Sequence, residues 1–223
     1  MCFSAEASFV VGAALLPSGG YCLERAFRND RRYLPLAAVP VFFAVQQFAE
    51  GFVWLDLARG AVGPGHPAVR VYLFFALAFW PFWVFLSAAA FDRQRLPWLI
   101  PIAVVGVVVG WSLFLPLVLY HDRDLRVTVA HHSIQYDFDR VPVLQVVPVS
   151  VARVAYVLTI VVPIFLCRNR LLRIAGAVVA LTAILSWLAF LYAFTSVWCL
   201  FAALTSTSIV LFFRNLRASE LVD

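Results

Sequence analysis

The sequence predicts an all-α fold: a polytopic transmembrane bundle of seven helices, N-terminus outside and C-terminus cytoplasmic. A short β-hairpin is expected in the outer loop between helices 4 and 5. Three observations predict this. Composition is 64% hydrophobic and 13% charged, with a mean hydropathy of +0.92, outside the range of soluble domains. Apolar stretches long enough to cross a bilayer, about 20 residues each, recur at 4–23, 34–57, 69–91, 97–120, 147–167, 171–192 and 195–213. Arginine is unevenly placed. Arg25, Arg28, Arg31, Arg32, Arg93, Arg95, Arg168, Arg170, Arg173, Arg214 and Arg217 fall on one side, and Arg59, Arg70, Arg123, Arg126, Arg140 and Arg153 on the other. The richer side is cytoplasmic by the positive-inside rule. Residues 1–223 form one membrane domain.

Helix 1 (4–23) is the least hydrophobic, and six spans remain if it lies in the interface. Met1 to Glu6 carry no positive charge and arginines follow the apolar run, so an uncleaved anchor is expected rather than a secretory signal. Helix 2 (34–57) holds Gln46, Glu50 and Trp54 at four-residue spacing, with Gln47 beside them, in otherwise apolar surroundings. A carboxylate at that depth is costly without a partner or water, which makes Glu50 a functional candidate. Pro17, Pro40, Pro81, Pro116 and Pro163 fall within predicted helices, where neighbours can satisfy the freed carbonyls. Residues 121–146 form the outer loop. Its alternation of Leu125, Val127 and Val129, then Ile134, Tyr136 and Phe138, predicts a hairpin turning around Ala130 to Ser133 with His131 and His132 at the tip. It is either a lid over the outer mouth or an ornament packed on helix ends. Arg153 and Tyr156 in helix 5, Ser186 and Trp187 in helix 6, and Thr195, Ser196, Trp198 and Cys199 in helix 7 converge with the helix 2 stripe on the outer half of the bundle.

Several chemistries are excluded or disfavoured. All seventeen basic residues are arginine, so no retinal Schiff base and no lysine nucleophile can form. His66, His121, His131 and His132 fall in loops, which argues against bis-histidine haem and an intramembrane histidine zinc site. Met1 is the single methionine, against a thioether copper path. The net charge of +5 belongs to the flank facing anionic lipid, so the bilayer and not nucleic acid is the expected partner.

Cys22 and Cys167 are expected as buried thiols at the inner end. Cys2 and Cys199 both belong near the outer face. They are a disulfide, a pair of thiolate ligands to a transition metal completed by Glu50 or a loop histidine, or a source of one nucleophile. Glu50 likewise has structural readings: an ion pair with Arg153, or hydrogen bonds with Gln47 or a helix 7 hydroxyl. The working reading makes Glu50 an acid/base and Cys2 a catalytic partner. Gln46, Gln47, Trp54, Arg153, Tyr156, Ser196 and Trp198 then contact the ligand. The aromatic residues also fit an interfacial belt. LLPSGGYCLERAFR and IVVPIFLCRNRLLR, at the exits of helices 1 and 5, share the order proline, cysteine, arginine. A three-plus-one-plus-three carrier arrangement gives this relationship.

Met1-Cys2-Phe3-Ser4-Ala5, QQFAEGFVW at 46–54 and SVWCLFAA at 196–203 together resemble an uncharacterised family of bacterial seven-helix membrane proteins, over essentially the whole chain. The resemblance implies the fold and motif positions at Cys2, Ser4, Gln47, Glu50, Gly51, Trp54, Trp198 and Cys199; it implies no activity. The lysine-free, arginine- and alanine-rich composition fits a bacterial source, where the expected place is the inner membrane, multi-pass. Three classes of function remain open: an enzyme acting at the outer leaflet on a lipid, an isoprenoid or a small periplasmic molecule; a small-solute carrier or channel; and a sensor or assembly partner. Oligomeric state is open as well, a homo-oligomer included.

Overall fold

The computed structural model describes residues 4–60, 66–119, 125–137 and 140–219. These form seven long helices and one small antiparallel sheet: α1 (Ala5–Arg28), α2 (Arg31–Ala58), α3 (Pro67–Phe91), α4 (Arg93–Leu119), β1 (Arg126–Ala130), β2 (Ser133–Asp137), α5 (Val149–Leu166), α6 (Arg170–Ala189) and α7 (Leu191–Asn215). Helices α2 to α7 are each long and apolar enough to cross a membrane. Each helix packs on its sequence neighbour, α7 closes the ring against α1 and α2, and α3 also meets α5.

Three apolar layers fill the ring. Val53, Tyr72, Leu117, Ile134 and Leu144 pack at the hairpin end. Leu15, Phe43, Trp80, Phe194 and Trp198 fill the middle. Cys22, Leu36, Leu99, Cys167 and Phe213 close the opposite end, where the arginine-rich connections gather. Successive helices therefore run in opposite directions.

Helix α1 is not apolar enough to count among the six, yet its 24 residues lie along α2. At about 1.5 Å per residue it is roughly 36 Å long. Its buried face is Ser8, Gly12, Leu15, Gly19, Cys22 and Ala26, at alternating four- and three-residue spacing. Small residues set the approach, as is common where membrane helices meet. A Cβ on Gly19 would collide with Val41, one on Gly12 would lie 3.2 Å from Phe48, and one on Gly51 of α2 would lie 2.7 Å from Phe9. The helix runs past the expected residue 23 because Glu24 pairs with Arg28 at 2.8 Å and the Asn29 N–H reaches the Arg25 carbonyl.

Helix α3 is interrupted by a π turn at Phe74–Phe79. Its Ala76 carbonyl accepts a 2.6 Å hydrogen bond from the Tyr156 hydroxyl. Gly110 of α4 lies against Leu77 so closely that a Cβ there would meet the Leu77 carbonyl.

The hairpin forms as the alternation predicts, pairing Val127 with Tyr136 and Ala130 with Ser133. His131 and His132 both have positive φ, 46° and 58°, as the central residues of a type I′ turn require. Strand β2 packs on α7 and buries Ile134 and Tyr136. Strand β1 is the outer one, so Val129, expected on the apolar face, is half exposed. Phe138 lies outside the described residues.

Candidate functional site

The polar residues of α2 face the interior of the ring. Gln46 and Gln47 are fully buried and Glu50 is 3% exposed. The Ser196 hydroxyl of α7 donates a 2.6 Å hydrogen bond to Glu50 Oε1, so the helix 7 hydroxyl reading of Glu50 is the one the geometry follows. Tyr72 and Gln47 also approach the carboxyl. Tyr72 donates to the Thr195 carbonyl at 3.2 Å and stacks on Tyr136 of the hairpin, with ring centres 4.9 Å apart and planes 13° apart. Cys199, one turn along α7 from Ser196, places its thiol beside Tyr72 and Gln46. Gln46 Oε1 accepts a 2.8 Å hydrogen bond from Trp80 Nε1, which lies just past the π turn.

This knot therefore joins α2, α3, α7 and the hairpin. Gln46 Nε2, both amide atoms of Gln47 and the Tyr136 hydroxyl are buried there without a hydrogen-bond partner. Buried polar atoms are ordinarily paired, so such a concentration is unusual inside an apolar bundle. Burial also holds the Tyr136 phenol well above its usual range, with the Glu50 carboxyl adding to the effect.

Below the knot, two cavities share Tyr156, Trp198 and Cys199. The smaller, about 40 Å3, is bounded by Arg153 and Thr195. Arg153 sets its guanidinium 5.7 Å from the centre of the Phe194 ring. The larger, about 130 Å3, is almost wholly apolar and runs past Phe43 and Trp80 to Phe91, Cys167 and Ile209.

The expected site residues thus divide. Gln46, Gln47, Glu50, Ser196 and Cys199 meet in the knot. Arg153, Tyr156 and Trp198 line the cavities under it. Trp54 packs against the hairpin-end core instead. Cys2 and His121 lie outside the described residues. Among the described residues no three His, Cys, Asp or Glu side chains gather as metal ligands. Tyr72, Tyr136 and Trp80 were not singled out as site residues from sequence. The one signal for Tyr136 was its inward place in the strand alternation.

A closed ring of apolar helices around a buried polar knot defines the class, a multi-pass, membrane-type helical bundle. The chain belongs to a family of unknown function, DUF6629, whose family model matches residues 1–222. No curated protein and no solved structure matches it.

Proposed function

We propose that this chain is a multi-pass inner-membrane protein of bacteria whose outward-facing knot binds the polar group of a lipid or isoprenoid, with apolar chain lodged in the lumen below. The observation that carries this reading is the continuity of the two: Cys199 belongs to the knot and lines the apolar cavity as well. A water-sized site takes about 10–15 Å3 by the same measure, so the cavity suits a hydrocarbon segment of roughly ten heavy atoms. Glu50 and Cys199 supply an acid/base and a thiol at the polar end, groups that an outer-leaflet enzyme can use. The hairpin serves as the lid, with Tyr136 as its inward contact. If Cys2 joins Cys199 and Glu50, the same site is a thiolate-carboxylate metal centre.

Mass spectrometry of small molecules retained by detergent-purified protein with a native N-terminus tests this, beside elemental analysis. The expected result is an amphipathic molecule near one per chain, lost in Ala202→Phe, which fills the lumen, and weakened in Glu50→Gln. Protein that carries no such molecule, with Ala202→Phe indistinguishable from wild type, sinks the reading. A transition metal lost in Cys2→Ser supports the metal centre.

A further inference from the structure

The opposite end of the bundle carries a second polar feature, far from the knot. The connections α1–α2, α3–α4 and α5–α6 are built alike. Asp30, Asp92 and Asn169 each accept a backbone N–H two residues on, from Arg32, Gln94 and Leu171, and so start the helix that follows. Each of these caps is flanked by arginine. The three connections surround one open recess of about 710 Å3 bounded by Arg32, Arg93, Arg168, Gln94, Asn169 and Asp92, with Phe91 behind.

Charge is unbalanced there. Arg32 pairs with Asp30, while Arg95 and Arg168 share Asp92 at 3.9 and 3.5 Å. Of the side chains that bound the recess, three guanidinium groups, Arg32, Arg93 and Arg168, stand against one carboxylate, Asp92. The amino-terminal ends of α2, α4 and α6 add the positive ends of three helix dipoles to the same place. Arginine matches phosphate in shape and charge, through paired N–H donors. Arg168 also donates to Gln94 at 3.3 Å, which holds its guanidinium at the rim. Phe91 forms a wall common to this recess and to the apolar lumen, so a phosphate seated here has apolar surface directly behind it.

We propose that this recess is a binding site for a phosphate group, carried by an anionic phospholipid headgroup or by a free phosphate anion. The site is independent of the ligand assigned to the knot. A topological role alone asks for arginines on this side but not for their convergence, from three connections, on one recess. The excess of positive charge repels the ammonium of a zwitterionic headgroup and attracts a headgroup whose only charge is its phosphate.

The test is native mass spectrometry of purified protein released from nanodiscs of equal phosphatidylglycerol and phosphatidylcholine, with titration of inorganic phosphate in a second arm. Wild type is expected to retain phosphatidylglycerol preferentially. Arg93→Gln and Arg32→Gln should each lower the preference about fivefold, the effect of one arginine near an anionic lipid. Arg140→Gln, an exposed arginine at the hairpin end, is expected to leave it unchanged. Saturable binding of inorganic phosphate without lipid preference, lost in the same two variants, assigns the site to the free anion. Equal retention of both lipids together with no phosphate binding overturns the proposal, as does equal loss in Arg140→Gln. Arg93→Lys keeps charge but not the paired donors. Its partial retention separates phosphate recognition from misfolding if a glutamine variant proves unstable.

Discussion

A buried carboxyl in an apolar layer is tolerated when something hydrogen-bonds it, and Ser196 is the shortest such contact to Glu50. Ser196→Ala leaves the carboxyl short of that donor and is expected to lower stability by about 1–3 kcal/mol, with Ser196→Thr recovering most of it. Thermal unfolding in detergent reads this; an unchanged midpoint in Ser196→Ala would mean the bond contributes nothing. Tyr136 behaves in the opposite sense. Its phenol is held well above the usual range, whereas the unfolded chain titrates near pH ~10. Above that pH the unfolded state sheds a proton that the folded state keeps, so stability is intact below it and falls as pH rises. Tyr136→Phe should therefore match or slightly exceed wild type at neutral pH, since it removes a buried hydroxyl without a partner, and should resist alkaline unfolding better. Unfolding followed from about pH 8 to about pH 11 distinguishes the two proteins. Glu50, Gln46 and Ser196 were legible in the sequence because polar residues inside apolar runs are conspicuous. Tyr72 was not, because a tyrosine near a helix end is ordinary at a membrane interface.

Among the elements, the seam between α1 and α2 makes the clearest demand on sequence. Gly19 has no room for a side chain, while a Cβ on Gly20 would meet nothing within 4 Å. Gly19→Val is expected to cost about 1–3 kcal/mol by overpacking. Gly20→Ala should be neutral or stabilising by up to about 1 kcal/mol through helix propensity. Equal melting temperatures for the two variants would show that the helices do not meet as described. The hairpin and its turn at His131 and His132 were legible, because period-two patterning leaves few alternatives; the exposure of Val129 was not, because alternation does not say which strand lies outermost. The full extent of α1 was not, since hydropathy follows lipid contact and α1 instead spends one face on α2. Nor was the π turn in α3: Phe74–Phe79 is apolar throughout, and nothing in FFALAF distinguishes i+5 from i+4 bonding.

For the whole molecule, the ring places arginine-rich connections at one end and the hairpin at the other, and the proposed topology puts the hairpin outside. In a variant lacking the native cysteines, a single cysteine at Thr128 should react with an impermeant maleimide in intact cells, and one at Gln94 only after permeabilisation. The reverse pattern would invert the protein and move the knot to the cytoplasmic side. Helix number could be read from the chain, because it follows from where apolar runs start and stop. The lumen could not, since its wall is assembled from five helices whose mutual rotation no single segment encodes. That rotation depends on the π turn. Tyr72 and Trp80 are eight residues apart, which on a regular helix sets them about 80° out of line, at about 100° per residue. One residue absorbed by i+5 bonding brings the two within roughly 20°, so both can donate into the same interior. The turn is thus an indexing insertion. Deleting one residue there would leave a regular helix with the two still within roughly 20°. Winding Phe74–Phe79 as a regular α-helix with no residue removed would instead turn Tyr72 and the half-helix that bears it about 100° away from the site, like a gear slipped by a single tooth.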